Sequence, residues 1–279
     1  MTIDVHAFDA PLGAEIVGLD LNNPLDAGTV ETVNRAFLDH HVLAIRDQDI
    51  SMERFMEIAG CFGTLQSQTV KHYAHADTDK VSMISPQLND NRDGKNAKPL
   101  YRGITFHTDH SYWPTPCKAT LLHAIQVPSR GGDTRFLNMH MAYDALPAQI
   151  KARIDGVKGV HRLAGRRNKT GRVMSAEEIR NSPWAVHPFV RTHEDTGRKA
   201  IYFNPNRMDG IEGWSDAESD ALLDEIEGLC LRGAFEYRHK WRPHDVVIWD
   251  NRSVLHAATD DYDEPRLLHR ILLEGTAPV

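Results

Sequence analysis

Apolar residues along this chain fall mostly in short runs, some continuous and some alternating, with a few stretches at helical spacing between them. Val33, Phe37 and Leu38 share one helical face and predict a helix over 29–40. The run Val42-Leu-Ala-Ile-Arg46 then predicts a buried strand. Ser51 is a candidate N-cap for a second helix, which carries Phe55, Met56, Ile58 and Ala59 towards Gly63. Residues 138–155 predict a helix that Pro147 breaks in two, because proline has no N–H and its ring clashes with the preceding turn. Ser215-Asp-Ala-Glu218 has the capping-box form ahead of Leu222, Leu223, Ile226 and Leu229, with Gly233 as the expected stop.

Elsewhere the pattern predicts strands, over 119–126, 186–191, 199–204, 245–249 and 267–273, each bounded by turn residues. His193-Glu-Asp-Thr-Gly197 is expected to be the hairpin turn between two of them. Many short strands with peripheral helices predict a mainly β fold with flanking α-helices, a β-sandwich or a jelly-roll barrel. Residues 77–105 and the basic stretch Arg166-Arg-Asn-Lys-Thr-Gly-Arg172 lack periodicity. They are expected to belong to active-site lids near 70–105 and 164–182. No repeat or low-complexity linker divides the chain, so one domain over 1–279 is expected.

Composition narrows the partners. A formal charge of −7 argues against general affinity for nucleic acid or an anionic membrane surface. No apolar run approaches the roughly 20 residues that span a bilayer. Cys61, Cys117 and Cys230 are odd in number and widely spaced, the pattern of reduced thiols. With no signal-like N-terminus, a cytoplasmic location is expected.

The candidate chemistry starts from His-x-Asp, which occurs three times: His75/Asp77, His107/Asp109 and His193/Asp195. The third copy falls in the expected hairpin turn, and the first lies in a polar segment with no evident strand after it. The middle copy follows Ile104 and Phe106 and precedes Tyr112-Trp113. On a strand, residues i and i+2 share a face, so His107 and Asp109 can point into one interior. His256, beyond the strand at 245–249, offers a second imidazole, although taken alone it reads more readily as a core histidine. Two imidazoles and a carboxylate leave one side of a metal open, which suits non-haem Fe(II), with zinc as the redox-inert alternative. Arg266 and Arg270, spaced i and i+4 on an expected strand, can share one cavity and hold an anion.

Four segments together carry a resemblance: Phe106-His-Thr-Asp-His110, Gly131-Gly-Asp-Thr134, Trp249-Asp-Asn-Arg-Ser-Val-Leu-His256 and Arg266-Leu-Leu-His-Arg270. In order and spacing they resemble the taurine and 2,4-dichlorophenoxyacetate dioxygenases, which use Fe(II), 2-oxoglutarate and dioxygen. The resemblance extends through Ala142-Tyr-Asp-Ala-Leu-Pro147 and Tyr237-Arg-His-Lys-Trp241. It implies a double-stranded β-helix (a cupin-like jelly roll) and a hydroxylation that releases succinate and carbon dioxide. It also implies roles: His107, Asp109 and His256 as iron ligands, Thr134 and Arg266 for the far carboxylate of 2-oxoglutarate, and Arg270 for an anionic substrate head group. Lys71 and His72 fall near family substrate contacts, and Tyr101, Tyr112 and Trp113 are candidates for an aromatic wall. Val70 stands where the taurine enzyme has histidine, which argues against taurine, while Lys71 and Glu236-Tyr-Arg-His-Lys-Trp241 resemble the phenoxyacetate branch and favour an aryloxy or other carboxylic acid. An alkylsulfonate or alkyl sulfate is the alternative within the family; a cupin-like hydrolase or binding protein is the alternative outside it. A homodimer or homotetramer is the family expectation.

Overall fold

The computed structural model describes residues 3–67, 74–86, 103–167 and 176–279. Its largest sheet runs in the order β1 (Asp4–Ala7), β2 (Ala14–Val17), β3 (Val42–Ile45), β14 (Val246–Asp250), β6 (Ala119–Gln126), β16 (Leu267–Leu273), β5 (Thr78–Ile84) and β4 (Ala74–His75). Neighbours pair antiparallel except β2 and β3. Strict alternation along these strands gives the sheet two buried faces. Leu43, Ile45, Leu121, Ile248 and Ile271 pack on one side with Val33 and Phe37 of α1 (Ala27–His40) and with Phe55 and Ile58 of α2 (Met52–Gly60).

Val42, Ala44, Leu122, Val247 and Trp249 face the other way, onto a second sheet. That sheet has β7 (Thr134–Asn138) between β13 (Glu236–His239) and β15 (Val254–Ala258). Its Phe136 meets Trp249 with ring centroids 5.3 Å apart, closing the space between the two layers. Leu137, Leu255 and Ala257 alternate outwards, onto Met139 and Ala142 of α3 (Met139–Asp144) and Leu222, Leu223 and Ile226 of α6 (Asp216–Cys230). The interior between the sheets is therefore lined by β6, β14 and β16 on one side and by β7 and β15 on the other.

A third sheet, β12 (Met208–Ile211), β8 (Lys158–Arg162) and β9 (Trp184–Pro188), and a hairpin of β10 (Val190–Thr192) and β11 (Lys199–Ile201) flank this sandwich. α4 (Ala148–Ile154) starts directly after Pro147, which separates it from α3 as expected. α5 (Ala176–Asn181) completes the elements. Ser51 and Ser215 cap their helices, Ser215 with the full reciprocal box.

Several expectations are corrected. The 77–105 stretch is not all loop, because β5 lies within it and pairs with β16. The expected strand at 186–191 is two, since Pro188 offers no N–H and Phe189 leaves β9 for β10. The strand expected over 199–204 ends at Ile201. α6 stops at Cys230 rather than near Gly233, because Leu231 leaves helical geometry and Arg232 Nε caps the Gly228 carbonyl.

Candidate active site

His256 sits in the middle of β15, opposite Phe136 in the register, so its ring points inwards while Leu255 and Ala257 point out. It packs 4.7 Å from the Trp249 ring. His107 joins it by a single antiparallel bridge, with the two residues exchanging both backbone hydrogen bonds at 2.9 and 2.8 Å. This corrects the expected strand through His107–Asp109: one rung forms, and the chain then turns at His110, which has φ +56°. His107 and Asp109 nonetheless reach one interior, with their donor atoms within 4.8 Å of each other.

The His107 and His256 rings lie 4.2 Å apart. Their Nε2 atoms stand 4.0 Å from Asp109 Oδ1 and 3.8 Å from Asp109 Oδ2 respectively, and one donor atom from each residue falls within 4.8 Å of the others. The His107 Nδ1 lies 2.8 Å from the Thr105 carbonyl, which fixes that nitrogen as the N–H and leaves Nε2 with its lone pair. Burial, reinforced by His107, pushes the His256 imidazole down to about 3, and burial lowers His107 as well. Burial opposes ionisation of Asp109, but His256 and Arg270 outweigh it and hold the carboxyl below the usual range. Two neutral imidazoles and one carboxylate, the forms that ligate a divalent ion, are thus the resting states here.

Arg270 projects from β16 into the same interior. Its Nη1 lies 3.7 Å from Asp109 Oδ1 and its Nε donates to Ser82 Oγ at 3.1 Å. Arg266 lies one residue before β16, and the pairing of β16 with β6 shifts register between Leu267 and Leu268. Arg266 thus lies just outside the strand that carries Arg270, and the two arginines have different neighbours. Arg266 packs beside Gly132 and over Tyr262. It is buried, its Nε has no hydrogen-bond partner among the described residues, and burial lowers its pKa. A desolvated guanidinium in this state fits an incoming carboxylate.

Thr134 begins β7 and its Oγ1 accepts from Trp241 Nε1 at 3.0 Å, which leaves its own proton to donate. Gly131 and Gly132 make the turn ahead of it at φ +73° and +67°. A Cβ on Gly131 would meet the Asp261 carbonyl at 2.6 Å, so the turn requires glycine there.

Tyr112 is beside the set, and burial, opposed by Arg207, raises its phenol to about 12. Lys71, His72 and Tyr101 lie outside the described residues. The two other His-x-Asp copies are held elsewhere. His75 and Asp77 form the tight turn between β4 and β5, so a strand does follow that copy. His193 is buried, with Nε2 2.9 Å from Asp250 Oδ2. Arg166 and Arg167 are paired with Asp220, and Arg167 also with Asp224, on α6, not free to draw in an acid. Sequence patterns did not single out Thr120, Ser82, Trp241 or Arg207 as functional residues. Thr120 and Ser82 become visible only through the strand register that sets them opposite Trp249 and Arg270.

A two-histidine, one-carboxylate group inside a β-sandwich, with a buried arginine just ahead of β16 whose Nε has no partner among the described residues, defines a non-haem metal oxygenase class of site. The profile of the "Taurine catabolism dioxygenase TauD, TfdA family" matches residues 4–272. A "(S)-phenoxypropionate/alpha-ketoglutarate-dioxygenase" of Sphingobium herbicidovorans is 30% identical over 98% of this chain and 95% of its own. An "alpha-ketoglutarate-dependent sulfate ester dioxygenase" of Pseudomonas putida is 30% identical over 100% of this chain and 92% of its own. A solved structure, AAD-2 in complex with Mn(II) and N-oxalylglycine, superposes with TM-score 0.84 at 31% identity, covering 100% of this chain and 99% of that one. The chain belongs to this family and is an Fe(II)- and 2-oxoglutarate-dependent dioxygenase.

Proposed function

We propose that this dioxygenase hydroxylates an anionic organic substrate, an aryloxy or other carboxylic acid, and that His107, Asp109 and His256 hold its iron. The observation that carries the substrate class is Arg270, whose guanidinium lies 3.7 Å from a ligand carboxylate oxygen. An acid bound to that arginine presents its adjacent carbons to the open side of the metal. The buried positive charge of Arg266 supports the assignment of 2-oxoglutarate to that pocket, with the Thr134 hydroxyl as second donor.

When bound, Fe(II) with 2-oxoglutarate supplies dioxygen activation for C–H hydroxylation, with succinate and carbon dioxide as co-products. The chain's own part is to bind, orient and exclude water. His107 keeps Nε2 unprotonated through the Thr105 carbonyl. Arg266 orients the dicarboxylate by a two-point fork, and Arg270 holds the substrate head. Tyr112 supports an aromatic wall by its place beside Asp109 and Arg270; on the family resemblance alone, Lys71 and His72 join it as substrate contacts.

The facing sheets support the finer fold assignment, a double-stranded β-helix forming one domain over 1–279 with lids near 70–105 and 164–182. A cytoplasmic homodimer or homotetramer completes the proposal. Succinate release under air, measured across aryloxy acids, alkylsulfonates and sulfate esters, tests the substrate class. The highest kcat/KM is expected with an aryloxy acid. A higher value with a sulfonate or sulfate ester would replace that choice, and no succinate with any acid would remove the proposal.

A further inference from the structure

Thr120 lies on β6, on the same inward face as Trp249, and its hydroxyl is buried with a partner on each side. The direction of every hydrogen bond around it follows from donor chemistry. An indole N–H can only donate. Trp249 Nε1 stands 3.1 Å from Asn251 Oδ1, which places the amide oxygen there. The backbone N–H of Asp109 approaches the same oxygen at 3.4 Å. The amide nitrogen of Asn251 therefore faces the other way, donating to Thr120 Oγ1 at 2.8 Å and reaching Cys117 Sγ at 3.4 Å. A hydroxyl has one proton. With Asn251 donating to its oxygen, Thr120 directs that proton to Asp109 Oδ2, 2.7 Å away.

We infer that Trp249, Asn251 and Thr120 form a one-way hydrogen-bond relay that fixes the orientation of the Asp109 carboxylate for the metal. Thr120 and Asn251 are positioning residues: neither ring nor amide is among the three donors, and both act through Asp109. The relay holds Oδ2, which faces His256 Nε2 at 3.8 Å, and thereby sets Oδ1 towards His107 Nε2 and Arg270 Nη1. It also ties the ligand loop to the sheet, since Thr108 Oγ1 donates to the Asn251 carbonyl at 2.8 Å. Hydrogen bonds of this kind orient a ligating carboxylate, and their loss typically costs about 10- to 100-fold in metal affinity. The inference rests on the assignment of Asp109 as a metal ligand.

Co(II) titration of the full-length metal-free protein, read by its visible d–d absorption, tests it, with the melting temperature of each metal-free variant measured alongside. Thr120→Val, which keeps shape and removes the hydroxyl, is expected to weaken Co(II) about tenfold or more and to alter the band. Thr120→Ser, which restores the donor, is expected to stay within about threefold of wild type. A Thr120→Val protein that lowers only the melting temperature and binds Co(II) as wild type does would overturn the relay. So would a Thr120→Ser protein as weak as the valine variant. If the valine variant does not fold, Asn251→Ala decides: a loss of about fivefold or more supports the relay, and wild-type affinity overturns it. Wild-type protein with no saturable Co(II) binding would instead contradict the metal site itself, a separate failure.

Discussion

Arg266 and Arg270 carry the same charge only four positions apart, yet their surroundings give them different tasks. Arg266 is desolvated and its Nε is unsatisfied among the described residues, a state that costs stability until an anion arrives. Arg266→Met is therefore expected to weaken 2-oxoglutarate by about 30-fold or more while leaving the melting temperature of the ligand-free protein unchanged or higher. Isothermal titration with 2-oxoglutarate and a thermal melt check both halves. Arg270 has Ser82 and Asp109 as neighbours. Arg270→Ala is expected to raise KM for the acid substrate by about tenfold or more, while succinate formed without substrate continues. If both changes altered only stability, the division of labour between the arginines would be wrong. At this scale the sequence was highly legible. Each proposed ligand lies in a short contiguous motif, and the order and spacing of those motifs together, not any one residue, name the chemistry. Thr120 was not legible, because nothing local marks a strand threonine; its role comes from Trp249 opposite it, a register that only folding defines.

At the scale of elements, turns do the positioning. The Gly131–Gly132 turn places Thr134 at the head of β7, and Asp261 closes it by accepting from the Gly132 N–H at 3.0 Å. Gly131→Ala puts a Cβ at positive φ against the Asp261 carbonyl, and a loss of roughly 1–3 kcal/mol in unfolding free energy is expected. Urea denaturation measures it. On α6, Ser215→Ala removes the reciprocal cap and is expected to cost about 1 kcal/mol by the same assay, with 2-oxoglutarate affinity unchanged. A Ser215→Ala protein that lost 2-oxoglutarate would show that α6 is coupled to the site. Helix starts were legible because Ser51, Pro147 and Ser215 act within one turn of the chain. Strand boundaries were less so. The bulge at Leu267/Leu268 and the single bridge at His107 arise from pairing with distant partners, and no local pattern records them.

Across the whole molecule, buried imidazoles make stability depend on pH. His41 and His161 titrate at about 3 in the folded protein, because burial disfavours the cation, with His140 and His187 adding repulsion. Unfolded, each has the ordinary value of 6.5. The unfolded chain thus binds the extra protons between these values. The stability they contribute is complete above pH 6.5 and is lost as pH falls towards 3, by roughly 1 kcal/mol per pH unit for each histidine. Asp250, held low by Arg252 and His193 against its burial, contributes in the same direction but only below the carboxylate range. Urea midpoints are therefore expected to hold from pH 8 to about 6.5 and to fall from there to pH 5, and a flat profile below pH 6.5 would contradict neutral burial of these rings. The mainly β sandwich was legible as a class, since strand-length runs dominate the pattern. Which sheet each strand joins was not, because β14 and β6 lie far apart in sequence and meet only in the sheet. The central claim is that the interior between these sheets holds Fe(II) and 2-oxoglutarate together on His107, Asp109, His256 and Arg266. Anaerobic addition of Fe(II) and 2-oxoglutarate tests it most directly, by the visible charge-transfer band of the chelate. The account expects that band in the wild type, its loss on addition of a chelator or in His256→Ala, and its appearance only at higher 2-oxoglutarate in Arg266→Met; no band in the wild type at saturating concentrations of both would contradict it.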